Sequence, residues 1–91
     1  MYSEKVKRIY VTKETFNSYP AYMKSALSYS NKSIDHANLA IDNHREKKYK
    51  EKYFHFKKSG YYLEVSKEIR RKQRKLTDSE MEAIKKKHLF R

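Results

Sequence analysis

The chain has one glycine, Gly60, and one proline, Pro20, in 91 residues. Glycine takes positive φ without steric cost, so its single occurrence marks where a tight turn is expected. On its N-terminal side Tyr53-Phe54-His55-Phe56-Lys57 alternates, with Phe54 and Phe56 on one face. On its C-terminal side Tyr61-Tyr62-Leu63-Glu64-Val65 alternates again, grouping Tyr61, Leu63 and Val65. Alternating runs joined by a short glycine-bearing stretch predict a β-hairpin turning at Ser59-Gly60.

The rest of the chain reads as elements around that hairpin. Residues 1–4 read as a frayed end. Arg8-Ile9-Tyr10-Val11-Thr12 is β-branched and aromatic and predicts a strand, with Ile9 and Val11 on one face. Ser18 and Pro20 suit a helix start, and Tyr19, Met23, Ala26 and Leu27 share a face, which predicts a helix over 19–28. The small polar stretch Ser28-Tyr29-Ser30-Asn31 predicts a break. A second helix follows over 32–46, capped by Ser30 or Asn31. Ile34, Ala37, Ile41 and His44 form one side of it and Asp35, Asn38, Asp42 and Arg45 the other, while Leu39 fits neither. Ser66 is placed to cap a third helix over 67–75. Thr77-Asp78-Ser79-Glu80 is a capping box opening a fourth over 78–89, with Met81, Ile84 and His88 as its stripe. No internal repeat is evident. The order of elements predicts an α+β fold, a small winged helix-turn-helix-like domain: strand, two helices, hairpin, two C-terminal helices. One domain is expected over 1–91, with a core over 6–65 and a basic helical part over 66–91.

Apolar residues are only 37% of the chain, yet aromatics reach 14%, including nine tyrosines. That content sets it apart from disordered chains and points to a thin, tyrosine-rich core. The absence of cysteine excludes disulfide frameworks, thiolate metal sites and cysteine nucleophiles. No apolar run approaches the roughly 18 residues of a membrane span. Met1 to Arg8 has no apolar stretch behind its charges and does not read as a signal peptide. A cytoplasmic location is the expectation.

Twenty-three Lys and Arg oppose eleven Asp and Glu, a formal charge of +12. Residues 57–91 hold twelve of the cations and five of the acids, net +7, and Lys67 to Lys75 is the densest run. A field of this strength becomes binding energy on a polyanion, through release of condensed counterions. The leading expectation is a sequence-specific duplex DNA-binding protein, a transcription regulator or accessory factor. In such a unit the second helix enters the major groove with its N-terminal half. That half offers Asn31, Lys32, Ser33, His36 and Asn38 for base contacts. Lys57, Lys58, Arg70, Arg71, Arg74 and Lys75 are the expected phosphate contacts.

Phe16-Asn17-Ser18, then Ser30-Asn31-Lys32-Ser33-Ile34-Asp35-His36-Ala37, then Tyr49-Lys50-Glu51-Lys52-Tyr53-Phe54 resemble a known pattern. It is that of the helix-turn-helix nuclease-associated modular domains of phage and intron homing endonucleases. The resemblance covers residues 14–56, fewer than half of the chain. It implies DNA contact by the second helix, a phage or mobile-element origin and no catalysis.

Enzyme chemistry is not expected, and neither is a metal or cofactor. A His-Asn-His nuclease site would need its first histidine on a strand, and His36 and His44 fall on one helix instead. One glycine cannot build a phosphate-cradling loop. Two further readings stand beside duplex DNA binding. One is a small protein whose basic surface inhibits a host nucleic-acid enzyme. The other is an RNA binder that stacks bases on Tyr10, Tyr53 and Tyr62.

Overall fold

The computed structural model describes residues 5–90. Residues 1–4, read above as a frayed end, and Arg91 lie outside the described residues. Four helices follow in order: α1 Lys13–Ser18, α2 Ala21–Arg45, α3 Tyr49–Lys72 and α4 Asp78–Leu89. Among the described residues there is no strand. The expected α+β winged helix-turn-helix fold is therefore corrected to an all-helical one, dominated by the antiparallel hairpin of α2 and α3.

The expected β-hairpin over 53–65 is a stretch of α3, and Gly60 has no positive φ there. The alternation of Phe54 and Phe56 is real but short, and both rings stay largely exposed. A longer 3–4 spacing overrides it. Lys52, His55, Ser59, Tyr62, Ser66 and Ile69 fall on one side of α3, and the first five touch α2 through hydrogen bonds or ring contacts. Their partners on α2 are His44, His36, Ser33, Tyr29 and Ser30, and the small residues Ala26, Ser30, Ser33, Ala37 and Ala40 recur on α2 as a seam at heptad spacing.

The same seam explains why the expected break at 28–31 is absent. Ser30 and Asn31 are neither cap nor turn residues, since α2 runs through them. The Ser30 hydroxyl lies 2.6 Å from that of Ser66, which also donates to the Ala26 carbonyl at 2.8 Å. Ser66 is fully buried, so these bonds repay the desolvation of its hydroxyl. Instead of capping a third helix, it sits inside α3, whose last turns absorb the expected helix over 67–75. The boundary expected between residues 65 and 66 thus falls within one helix.

Positive φ is carried elsewhere. Lys47, at φ 61, turns the chain between α2 and α3. Its N–H donates to the His44 carbonyl at 3.1 Å, and the Lys48 N–H donates to the Asn43 carbonyl at 2.8 Å. This pair is a Schellman motif, with a lysine where glycine is usual. Gln73, at φ 54, ends α3 in the same left-handed region.

The fourth helix matches its expectation. Thr77 and Glu80 form the reciprocal capping box, and α4 spans Asp78–Leu89. It runs back along α3, so that His88 Nε2 and Lys87 Nζ reach Glu64 Oε1 at 2.8 and 3.0 Å. Gly60 lies beneath it: a Cβ added there would stand 3.1 Å from His88 Nδ1. The glycine serves close approach of α4 rather than a turn. Ala26, Tyr61, Val65, Ile69, Leu76 and Ile84 form the core, flanked by Tyr22, Tyr29, Tyr62, Met81 and Leu89. The slab measures 42 × 32 × 15 Å across its Cα atoms. Its thinness accounts for a core finished by half-buried tyrosines, whose rings are apolar and whose hydroxyls reach the surface.

Candidate nucleic-acid interface

The residues expected to read bases are engaged within the protein. Asn31 brackets the backbone of Ile9, accepting from its N–H at 2.7 Å and donating to its carbonyl at 3.0 Å. Asn38 does the same to Val6, at 2.7 and 2.8 Å. Residues 5–12, expected as a strand from 8 to 12, have no regular secondary structure, and the Val6 and Ile9 backbones bond side chains of α2 instead of another strand. Ser33 is buried and donates to the Ser59 carbonyl at 2.8 Å. Lys32 lies over the Tyr29 and Tyr62 rings. His36 stacks on His55 and Tyr62.

The His36 and His55 Nδ1 atoms are 2.8 Å apart, a distance that needs one proton between them. Burial, then the nearby His55 and Lys58, push His36 below the ordinary imidazole range, with Asp35 acting against them. The pair fastens α2 to α3.

Much of the basic C-terminal run is likewise matched inside the chain. Arg71 pairs with Glu68 at 2.8 Å. Lys72 and Arg74 both pair with Glu80, whose carboxyl is held far below the usual carboxylate range by these partners and by Thr77. Arg70 reaches back to the Ser66 carbonyl. Lys75 lies beside Arg74 near Tyr22 and Ser25 of α2. Of the six expected phosphate contacts, Arg74 and Lys75 share one open site beside Ala21, Tyr22 and Ser25, and Lys57 and Lys58 come together at another, which also gathers aromatic rings.

That site is a groove of about 580 Å³ where α4 ends and α3 continues uncovered. It is lined by Lys50, Tyr53, Phe54, Lys57 and Lys58 of α3 and by Lys85, Leu89 and Phe90 at the end of the chain. The α3 members fall at i, i+3, i+4, i+7 and i+8, one helical face. Four lysines and three aromatic rings meet here, and among the described residues no carboxylate lines it. Tyr53, Phe54 and Phe90 are 59%, 53% and 67% exposed. Lys58 Nζ stands 5.8 Å from the Phe54 ring centre, keeping cation and ring on one surface. The volume falls within the range of small-ligand sites, but the opening is wide and the rim cationic. Such a surface offers stacking faces with ammonium groups beside them.

The groove brings together Tyr53, expected from sequence as a stacking ring, and Lys57 and Lys58, expected as phosphate contacts, with Lys50, Phe54, Lys85 and Phe90, for which sequence reasoning assigned no such role. The signal for the α3 members was the helical spacing from Lys50 to Lys58, hidden by reading the same residues as a strand. Among the described residues no group of three His, Cys, Asp or Glu side chains is placed to hold a metal ion, and no helix is long and apolar enough to cross a membrane. No family model, curated protein or solved structure matches this chain.

Proposed function

We propose that this protein binds nucleic acid through the groove between α3 and the end of α4, holding unpaired bases against its rings. The observation that carries the reading is the clustering of four lysines and three exposed aromatics with no carboxylate among them. Stacking on aromatic side chains is tolerant of sequence, because every base has a π-face, and adjacent lysines track the phosphates. Recognition by a helix in the major groove is set aside, since Asn31 and Asn38 hold the chain's own backbone.

Fluorescence anisotropy with matched single-stranded and duplex oligonucleotides over a salt series tests this. Four lysine contacts should give a slope of log K on log salt of about −3 on single strands. Replacing Tyr53 or Phe54 by Ala should cost about 1–3 kcal/mol for each stacked base. The joint variant Lys57→Ala/Lys58→Ala should flatten the slope by about 1.4. Absence of binding at low salt, or groove variants that bind as tightly as the parent, would sink the proposal.

A further inference from the structure

The N-terminal segment and α2 meet through two interlocking repeats. On α2, Asn31 and Asn38 are seven residues apart, and so are Asp35 and Asp42. On the segment, Val6 and Ile9 are three apart, and so are Lys5 and Arg8. Asn38 brackets the Val6 backbone while Asp42 pairs with Lys5 at 2.9 Å. One heptad earlier Asn31 brackets Ile9 while Asp35 pairs with Arg8 at 3.2 Å. Seven helical residues rise about 10.5 Å, and three extended residues about 10 Å. The two repeats therefore stay in step, with the segment antiparallel to α2.

The heptad spans most of the helix. Residues 26–46 align as Ala-Leu-Ser-Tyr-Ser-Asn-Lys, Ser-Ile-Asp-His-Ala-Asn-Leu and Ala-Ile-Asp-Asn-His-Arg-Glu. Its first position is always small (Ala26, Ser33, Ala40), its fifth is Ser30, Ala37 and then His44, and Asp35, Asp42, Asn31 and Asn38 present the ladder. On the segment the matching unit is a triad of cation, β-branched residue and any residue: Lys5-Val6-Lys7 and Arg8-Ile9-Tyr10. Each rung reads a peptide backbone and one cation. Nothing in that recognition requires the segment to belong to the same molecule.

We infer that this face of α2 is a recognition site for an extended segment built of cation–β-branched triads, and that residues 5–9 of a second copy are its ligand in trans. The cis segment is held lightly. Val6, Ile9 and Tyr10 are 51%, 45% and 81% exposed, and both ion pairs are at the surface. Contacts of this kind open readily, well below the threshold for global unfolding. Pro20, between α1 and α2, lies at the point where the segment and α1 could swing away together. Exchange of a short element between identical chains needs no new chemistry, since every contact is already made once in cis.

Charge reversal in the full chain tests the exchange. The variant Lys5→Glu/Arg8→Glu leaves an α2 face without a matching segment. The variant Asp35→Lys/Asp42→Lys leaves a segment without a matching face. Mixed together, each supplies what the other lacks, and both the native and the reversed charge pairs form across the complex. Sedimentation equilibrium should show the mixture associating more than about tenfold more tightly than either variant with itself. Combining all four changes in one chain restores the match in cis as well as in trans, so that protein should associate as the parent does and more weakly than the mixture, in which no cis match competes. Far-UV circular dichroism verifies that the helices of each variant are intact. Failure of the mixture to associate at millimolar concentration overturns the inference. So does association of the four-change protein as strongly as the mixture, because general charge effects would then suffice.

Discussion

Replacing Lys47 by glycine should stabilise the protein, although glycine disfavours helices. Lys47 sits at φ 61 just past the end of α2, where its backbone N–H bonds the His44 carbonyl. A left-handed residue with a Cβ costs about 1–2 kcal/mol. Glycine removes that cost and loses about 0.5–1 kcal/mol more backbone entropy on folding. The net gain for Lys47→Gly is about 0.5–1 kcal/mol. Gln73, at φ 54 at the other end of α3, has the same geometry and the same expected gain. The 24 residues of α3 separate the two turns, so the effects should add. The double variant then gains about 1–2 kcal/mol. With about 4–8 °C per kcal/mol for a domain of this size, a clear rise in Tm is expected. Thermal and urea denaturation followed by far-UV circular dichroism measure it, with the urea m-value as a control for compactness. A lower Tm for either glycine variant at unchanged m would refute the placement of the turns at Lys47 and Gln73.

Gly60→Ala should gain about 1 kcal/mol of helix propensity only when His88 is also Ala; in the parent the new Cβ meets the His88 ring, and equal effects in both backgrounds would count against the close approach. Truncating Ile69, 2% exposed, to Ala should cost about 2–5 kcal/mol in chemical denaturation; a loss under 1 kcal/mol would contradict its core position. Because burial and positive neighbours hold His36 below 6.5 in the folded chain, its contribution is full above pH 6.5 and is lost as pH falls below it. Glu64, Glu68 and Glu80 are held below their ordinary 4.5 by cationic partners, so their contributions are full above pH 4.5 and lost under it. Urea midpoints should therefore be flat from about pH 7 to 8 and fall in two stages on acidification, with His36→Gln removing the first. Asn31→Ala/Asn38→Ala should expose residues 5–12 to proteolysis while leaving the urea midpoint nearly unchanged; a large drop in stability would show that the segment is structural.

Helix α4 was legible because its start is written in a local code. Thr77 and Glu80 satisfy each other's backbone groups whatever the surroundings, and Ile84 supplies the stripe. What such rules miss is the partner. The α2–α3 seam is built from Ala, Ser and His, so it carries little hydrophobic signal, and the flanking Phe54 and Phe56 outweigh it to the eye. Ser30 and Asn31 resemble turn residues because small polar side chains suit both a turn and a close helix crossing. Only the packing of Ser66 and the segment at Ile9 decides between them. Gly60 misleads in the same way, since a glycine serves a positive φ or a near neighbour, and His88 lies 28 residues away in sequence. The heptad of α2 was visible in principle, but its repeated positions are small and polar, and an apolar periodicity search passes over them.

The groove is tested most directly by titrating the isotope-labelled chain with a short single-stranded oligonucleotide and following the backbone amides by NMR. The largest shifts are expected over residues 50–58 and 85–90, with Tyr53 and Phe54 ring signals moving in the same fast or intermediate exchange. Shifts centred on residues 67–75 or on 31–38, or spectra unchanged at low salt, would contradict it.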